Sequence, residues 1–294
     1  MKSKYKRTRS HWEPIFSPAT NFEQFKEFDW NFQNVNAVKN LYCNADILKS
    51  KIIENPRFKI QKFSFESCDF AGEFNFSKIT FSECKFHNCD MGDNVWLNIK
   101  FSKCEFINFS FSTVKFHSSQ FIECSWLNIG ISSNEMHFVN CLLTNPCEFI
   151  NSAYTNIDKE ILKQEKTNPE YQLYRLEGTK AKAARMILSN LQMVGDDDAF
   201  YEAVKCYTTQ VIFAKISARK QQIKSSTQWH KIIFHFLIKI GLILELFILS
   251  LSGRINGWGA SVGRSASFGI LLALIFTLIY YSLGMVCITR RQSE

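Results

Sequence analysis

The fold of this chain is decided by residues 76–126, which read, in blocks of five, FSKIT FSECK FHNCD MGDNV WLNIK FSKCE FINFS FSTVK FHSSQ FIECS W. Every block begins with an apolar residue, and the same step continues to residue 141. The positions are Phe76, Phe81, Phe86, Met91, Trp96, Phe101, Phe106, Phe111, Phe116, Phe121, Trp126, Ile131, Met136 and Cys141. In a chain with 46% hydrophobic residues, such a run has a chance probability on the order of one in fifty thousand. The step of five is therefore a structural period.

A second register lies two residues before each of these positions and is generally smaller. It contains Cys84, Cys104 and Cys124 as well as Ile, Val, Ser and Asn. The intervening residues are mostly Ser, Lys, Glu, Asn and His, which are typical of solvent-facing positions. A period of five fits neither a helix nor a strand, so the chain has to turn at regular intervals. The pattern predicts a stacked solenoid with both registers inside.

This pattern resembles the pentapeptide-repeat family, whose central residue is Leu or Phe and whose second inward residue is small. The resemblance covers roughly residues 58–150. It implies a right-handed quadrilateral β-helix, a β-solenoid in which four units make one square coil. Phe65 and Phe70 keep the step, and one extra residue near Gly72 is expected to form a bulge before Phe76.

If four units make a coil, residues twenty apart stack on one face. Phe81, Phe101 and Phe121 then form one ladder, and the three cysteines of the second register form another. We interpret these cysteines as core residues, because cysteine behaves as a small hydrophobe and a linear stack cannot supply tetrahedral metal ligands. The same rule places His117 and His137 one coil apart on an outward face.

Residues 1–57 are predicted to form a basic N-terminal tail and a cap. Residues 1–10 contain five Lys and Arg residues and no acid. The following residues are aromatic without the strict step, as expected where a cap covers the open end of a solenoid. These aromatic residues are Trp12, Phe16, Phe22, Phe25, Phe28, Trp30 and Phe32.

Residues 151–230 are predicted to form a helical connector. Residues 171–193 are rich in helix formers, and a second helix is expected at about residues 199–219. Gly195 followed by Asp196–Asp198 indicates a helix stop and a new start, with acids at the positive end of the helix dipole. We favour this over a calcium loop, which needs oxygens at alternate positions and a later Glu. The motifs occur in the order Tyr171-x-x-Tyr174-Arg175-Leu176, Gly195-Asp196 and Ala199-Phe200-Tyr201, followed by a basic stretch. This order is similar to that in the connector of bacterial pentapeptide-repeat membrane proteins.

Residues 231–294 are predicted to be a membrane anchor. Residues 266–288 carry no charge and are long enough to cross a bilayer as a helix. Residues 232–251 either span the bilayer or lie at its interface, since they contain Lys239 and Glu245. Basic residues precede the first segment and follow the second, which favours a transmembrane hairpin with both ends in the cytoplasm. The Ser252–Gly259 turn is similar to that of the family just named.

Lys239 and Glu245 are the candidate functional residues of the membrane segment, because intramembrane ionisable residues commonly have a function. They would serve an ion path, a subunit contact or a sensor. The alternatives are an internal or intersubunit ion pair, and snorkelling of an interfacial helix.

The sequence gives no sign of an enzyme, a metal site or a cofactor site. There is no Cys-x-x-Cys pair, no His-x-x-x-His pair and no phosphate loop. The net charge of +8 is unevenly placed, and the repeats are mildly acidic, which argues against a nucleic-acid groove. It also argues against a DNA-mimicking topoisomerase inhibitor, because such a mimic needs strong negative charge.

Two functions remain. The first is a non-enzymatic membrane-tethered scaffold or sensor that presents a cytoplasmic solenoid to an unknown protein partner. The second is an oligomeric membrane effector that perturbs or conducts across the lipid bilayer when triggered. In both, the expected location is the bacterial inner membrane, with a multi-pass anchor and, for the effector, a homo-oligomer.

Overall fold

The structure is a computed structural model, and it falls into two compact units, residues 1–243 and residues 244–294. The boundary between the units lies within one long helix. The described residues are 26–32, 35–54, 58–71, 75–89, 91, 94–109, 111, 114–131, 136–153, 169–256, 258 and 262–291.

The first unit contains a β-solenoid of about 4 turns, which confirms the predicted solenoid. Its short strands pair in parallel with the equivalent strands of the coils before and after them. The strands are β1 (Lys26–Glu27), β2 (Ala37–Lys39), β3 (Leu41–Asn44), β4 (Lys59–Gln61), β5 (Ser64–Glu66), β6 (Asp69–Ala71), β7 (Phe76–Ser77), β8 (Thr80–Ser82), β9 (Lys85–His87), β10 (Val95–Leu97), β11 (Lys100–Ser102), β12 (Glu105–Ile107), β13 (Lys115–His117), β14 (Gln120–Ile122), β15 (Ser125–Leu127), β16 (His137–Val139) and β17 (Leu142–Leu143). The sheets have the orders β1-β3-β6, β16-β13-β10-β7, β17-β14-β11-β8-β4 and β15-β12-β9-β5-β2.

The middle of the solenoid repeats with a step of twenty residues. Phe81 pairs with Phe101, and Phe101 pairs with Phe121. Their rings are stacked, with centroids 5.1 Å and 4.9 Å apart. These separations match the spacing of hydrogen-bonded strands, so one aromatic ring fits each coil. The predicted central phenylalanines are all buried, namely Phe76, Phe81, Phe86, Phe101, Phe106, Phe111, Phe116 and Phe121.

The step lengthens towards the C-terminal end, and there the sequence prediction was wrong. Phe138 pairs with Phe116, and Leu143 pairs with Phe121. The coil is thus two residues longer than the twenty expected, and Met136 and Cys141 belong to the second register. The error arose because Met136 and Cys141 are apolar and buried, as Phe138 and Leu143 are, so a shift of two residues leaves the apolar pattern intact here.

The same shift changes the pairing of the outward histidines. His117 pairs with Val139, whereas His137 pairs with Lys115. The expected His117–His137 stack is therefore wrong.

One extra residue enters the solenoid before Phe76. Phe65 pairs with Phe86, and Ile60 pairs with Phe81, each at a separation of twenty-one residues. This separation accommodates the expected insertion between Phe70 and Phe76. Its predicted position near Gly72 lies outside the described residues.

The corners of the solenoid use left-handed backbone conformations at residues other than glycine. Glu83, Lys103 and Asn108 have φ of 56°, 54° and 49°. A left-handed residue with a Cβ costs roughly 1–2 kcal/mol. Each of these corners also gains a backbone hydrogen bond to the next coil, as from Lys103 N to Ile122 O at 2.9 Å and from Asn108 N to Leu127 O at 2.9 Å.

The parallel ladders begin before residue 58, the expected boundary of the cap. Strand β2 pairs with β5, and β3 pairs with β6, while helix α1 (Ala45–Glu54) lies between β3 and β4. Trp30 is buried and its Nε1 donates to Asn44 O at 3.0 Å. Phe28 packs beside it, with ring centroids 5.3 Å apart. The expected tail and the aromatic residues Trp12, Phe16, Phe22 and Phe25 lie outside the described residues.

Helices follow the last coil. They are α2 (Pro146–Asn151), α3 (Pro169–Val194), α4 (Asp197–Ser225), α5 (Trp229–Asn256) and α6 (Val262–Arg291). Between α3 and α4, Gly195 has φ of 77°, and Asp196 Oδ1 accepts a hydrogen bond from Ala199 N at 2.9 Å. The chain therefore stops and restarts at the position predicted from the Gly-Asp sequence. Glu170 at the start of α3 pairs with Lys224 at the end of α4, as an antiparallel helix pair requires.

Candidate functional site

Helix α5 is apolar and largely exposed. Among the residues with described side chains, Trp229–Ile255 is the stretch long and apolar enough to cross a membrane, at 27 residues. At about 1.5 Å per residue it exceeds the roughly 30 Å thickness of a hydrocarbon core. Phe234, Leu237 and Phe247 are 59%, 61% and 64% exposed. A continuous exposed apolar surface of this kind indicates a membrane or protein contact.

Helix α6 covers the whole of the second predicted segment, residues 266–288. Its described side chains give a shorter apolar stretch, Ala266–Leu278. The side chains of residues 279–280 and 282–291 lie outside the described set, so a span over residues 266–288 stays a prediction.

The two candidate residues of the membrane segment both lie on α5. Lys239 is half-buried and Glu245 is exposed. Residues six apart on a helix differ by about 9 Å along the axis and about 120° around it. This is not the spacing of three or four residues at which helical side chains face one another. Helix geometry therefore gives the two charges different directions, and each needs its own partner or a path to water.

Basic residues precede α5. Lys215, Lys220 and Lys231 are exposed. Arg219 Nη1 donates to Gln222 Oε1 at 2.8 Å and lies 3.4 Å from His235 Nδ1 in the first turns of α5. Positive charge at the end of an apolar helix suits contact with anionic lipid headgroups.

The solenoid surface carries charges of both signs in short ladders. Lys62 Nζ lies 4.0 Å from Glu83 Oε2, and Lys103 Nζ lies 3.6 Å from Glu123 Oε2. Such exposed pairs contribute roughly 0–1 kcal/mol each to stability. A shallow groove beside them is lined by Lys62, Phe63, Ser64, Glu83, Cys84, Lys85, Lys103 and Glu105. The charge of this surface is therefore mixed and not of a single sign.

The predicted cysteine ladder lies inside the solenoid. The Sγ atoms of Cys84 and Cys104 donate to Ile60 O and Phe81 O, each at 3.5 Å, and Cys124 Sγ donates to Phe101 O at 3.7 Å. The hydrogen bond with Cys124, together with burial, raises the pKa of Cys104 to about 12. The hydrogen bond with Cys104, followed by burial, also raises the pKa of Cys84. Protonated buried thiols of this kind are unreactive. Within the described residues, no group of three or more His, Cys, Asp or Glu is suited to hold a metal ion.

The junction of the solenoid with α3 depends on Asn190, which the sequence reasoning missed. Asn190 Nδ2 donates to Cys141 O at 2.5 Å, and its Oδ1 accepts from Cys141 N at 3.0 Å. Asn190 is 2% exposed. Its side chain thus satisfies backbone groups that a further coil would otherwise pair. A buried Asn on the Ala, Ile and Leu face of α3 was the available signal.

A second contact at this junction joins α2 to α4. Cys147 N donates to Glu202 Oε1 at 3.2 Å, and Cys147 Sγ donates to Glu202 O at 3.4 Å. Cys206 lies one helical turn beyond Glu202, and its thiol hydrogen-bonds with that of Cys147. This hydrogen bond lowers the pKa of Cys147 and, with burial, raises that of Cys206. Burial also raises the pKa of Glu202.

The function has to be inferred from these features of the chain itself. No family model, no curated protein and no solved structure matches it. Three features carry the interpretation: the apolar helix α5, the charged surface of the solenoid, and the buried junction between the last coil and the helices α3 and α4.

Proposed function

We propose that this protein is a non-enzymatic membrane-tethered scaffold or sensor that presents a cytoplasmic solenoid to a protein partner. The observation that carries the proposal is the exposed apolar helix α5, which follows a solenoid-docked helix pair directly in the chain. Burial of its exposed Phe, Leu and Ile side chains in lipid removes a large apolar surface from water. The remaining polar surface is then the solenoid and the helix pair.

The solenoid is proposed to be a pentapeptide-repeat β-helix, right-handed and quadrilateral. The twenty-residue pairing of β8, β11 and β14 supports this, because it equals four units of five. So do the left-handed corners at Lys78, Glu83 and Lys103, each two residues after a central phenylalanine. Such a body is stiff, because each coil is hydrogen-bonded to both neighbours.

The anchor is proposed to be a transmembrane hairpin of α5 and α6 in the bacterial inner membrane, with both termini in the cytoplasm. The basic residues before α5 and the two arginines at positions 290 and 291 support this orientation under the positive-inside rule. A single crossing by α5 would instead place α6 on the far side. The two topologies differ in the location of the C-terminus, so a C-terminal tag accessible to protease only from the cytoplasmic side supports the hairpin.

A second candidate function is an oligomeric membrane effector. It is favoured by Lys239 and Glu245, two ionisable residues in an otherwise apolar helix. Because they face different directions on one helix, they would pair between copies, Lys239 of one with Glu245 of another, around a common axis. Such a ring of ion pairs would line a water-filled path.

The deciding experiment measures membrane potential with a voltage-sensitive dye in cells that express the full chain or the Lys239→Leu/Glu245→Leu variant. Membranes from the same cells are washed with alkaline carbonate. Retention after washing with an unchanged potential in both samples supports the tethered scaffold. Depolarisation that the double variant abolishes supports the effector. Release of the wild-type chain by carbonate would overturn both functions.

A further inference from the structure

The thiols of Cys147 and Cys206 lie where the last coil of the solenoid meets the helical connector. Cys147 lies on α2, the short helix that closes the last coil. Phe149 of α2 is fully buried and packs edge-on against Trp126, with ring centroids 4.9 Å apart. Cys206 lies on α4, the second helix of the connector. A bond between the two sulfurs would fasten the end of the solenoid to the helix that leads to the apolar segment.

Glu202 brings the two thiols together. Its carboxylate accepts the backbone N–H of Cys147, and its carbonyl oxygen accepts the Cys147 thiol proton. Cys206 follows four residues later on the same face of α4, where side chains of a helix are neighbours. The Cys206 thiol is the hydrogen-bond partner of the Cys147 thiol.

The two thiols differ in access and acidity. Cys147 is half-buried, whereas Cys206 is only 3% exposed. The hydrogen bond with Cys206 lowers the pKa of Cys147, and the charge of Lys205 acts in the same direction, against burial and Glu202. A partly accessible thiol of lowered pKa beside a buried second thiol is the arrangement of redox-sensing cysteine pairs. Cys147 is therefore the attacking residue and Cys206 the resolving one.

We propose that Cys147 and Cys206 form a peroxide-sensitive thiol pair that closes to a disulfide between α2 and α4. The use of this pair as a trigger for signalling rests on the sensor function proposed above. The thiol chemistry itself does not depend on that function. The oxidant is a hydroperoxide, with hydrogen peroxide as the probe.

The chemistry has two steps. The Cys147 thiolate attacks one oxygen of the peroxide, so that an S–O bond forms, the O–O bond breaks and hydroxide leaves to be protonated to water. The Cys206 sulfur, which lies beside it, attacks the sulfur of the Cys147 sulfenic acid, and the Cys206 proton passes to the departing oxygen. The S–S bond then forms, the S–O bond breaks and a second water leaves. Two thiols are oxidised by two electrons in total, and one peroxide is reduced to two waters.

The solenoid provides an internal control. Cys104 and Cys124 also hydrogen-bond to one another, but they are almost fully buried and the pKa of Cys104 is raised. Cys68 has a pKa lowered to about 4 by hydrogen bonds from Cys43 and Cys89, yet it is fully buried. Comparison with these thiols separates the effect of access from the effect of acidity.

The test uses the full chain in detergent micelles with Cys287→Ser in every sample, so that the thiols compared are those of the solenoid and the connector helices. The protein is titrated with hydrogen peroxide, free thiols are blocked with a maleimide, and each cysteine is assigned by peptide mass spectrometry. We expect a Cys147–Cys206 disulfide to form at least about tenfold faster than oxidation of Cys68, Cys104 or Cys124. Cys206→Ser should stop at a sulfenic acid on Cys147, trapped with dimedone, and Cys147→Ser should show neither product.

Circular dichroism spectra are recorded for the two serine variants and the parent. Matching spectra show that the variants are folded, so that the missing product is due to the missing thiol. Oxidation of the solenoid thiols before Cys147, or free thiols at Cys147 and Cys206 when Cys68 is already oxidised, would overturn the proposal. The carbonate wash on the same samples reports on the membrane function separately. If the disulfide forms in a chain that carbonate releases, the thiol-pair proposal holds and the membrane tether is refuted. If the chain is retained but no disulfide forms, the tether holds and the thiol-pair proposal is refuted.

Discussion

Two hydrogen bonds join the side chain of Asn190 to the backbone of Cys141, and they take the place of the bonds that a further coil would make. The amide nitrogen of Asn190 donates to Cys141 O at 2.5 Å, and its oxygen accepts Cys141 N at 3.0 Å. The last coil of a solenoid exposes the backbone groups that the next coil would pair, and such edges invite aggregation. Here α3 covers that edge and satisfies both groups of one residue.

Asn190→Ala should therefore destabilise the junction strongly. Both Cys141 backbone groups would be left buried without a partner, at about 1–3 kcal/mol each. We expect a loss of about 2–6 kcal/mol in the free energy of unfolding, measured by denaturant titration with tryptophan fluorescence in detergent. Gln192→Ala, at an exposed site on the same helix, is the matched control and should change little. Equal effects of the two changes would refute the role of Asn190.

Phe101→Ala should open a cavity in the middle of the aromatic ladder. Phe101 is fully buried and stacks between Phe81 and Phe121. Truncation of such a phenylalanine costs about 3–5 kcal/mol. Leu127→Ala on the outer face, where Leu127 is 52% exposed, should cost less than about 1 kcal/mol in the same unfolding assay. A small effect at Phe101 would mean that the ladder does not support the solenoid.

Lys78→Asn should stabilise the solenoid. Lys78 occupies a corner with φ of 57°, and asparagine tolerates this left-handed conformation better than lysine. We expect a gain of about 1 kcal/mol or less, a part of the roughly 1–2 kcal/mol that a left-handed residue with a Cβ costs. Lys100→Asn makes the same change on the exposed side of strand β11 and should be neutral or destabilising, since asparagine is depleted in strands. If both changes shift the unfolding midpoint alike, backbone strain at the corner is not the cause.

Leu237→Lys with Phe247→Lys should weaken the attachment of the chain to membranes. Each lysine in the apolar part of a membrane helix costs about 2.5–3.5 kcal/mol. The fraction of chain retained after a carbonate wash should fall sharply relative to wild type. Tyr174→Lys with Met193→Lys places two lysines at exposed apolar sites on α3 and should leave retention unchanged. Full retention of the α5 variant would contradict a role for this helix in the bilayer.

Glu202→Gln should remove part of the pH dependence of stability. Burial raises the pKa of Glu202 above its ordinary value of 4.5, so the folded chain holds this proton more tightly than the unfolded chain. Its contribution is therefore fully present below the unfolded pKa and is lost as pH rises through the folded pKa. Glutamine keeps an oxygen to accept the Cys147 N–H. We expect the stability of the variant to change less than that of the parent as pH rises above 4.5, measured by thermal unfolding, and an unchanged slope would refute the assignment.

Much of the architecture follows from the sequence alone. A period of five that fits neither helix nor strand requires a chain that turns regularly, and this yields the solenoid and most of its buried phenylalanines. The Gly195-Asp196 pair determines where α3 ends and α4 begins, because both signals are local to the backbone. The two long apolar segments coincide with α5 and α6 for the same reason.

The tertiary structure alone decided the register of the last coil. The two extra residues before Met136 exchange one apolar register for the other, and apolarity cannot distinguish them. Only the hydrogen bonds between coils determine that Phe138, and not Met136, lies on Phe116. The sequence pattern also failed to predict that the ladders begin before residue 58, because α1 interrupts the period.

The contacts that join the solenoid to its helices were also beyond the sequence. Asn190 and Cys141 are 49 residues apart, and Cys147 and Glu202 are 55 apart. A local pattern records how each segment buries its own apolar face, and in these segments it says nothing about which polar group another segment will supply. Those partners are chosen when the elements pack, because a buried donor or acceptor is stable only where the packed fold places its complement.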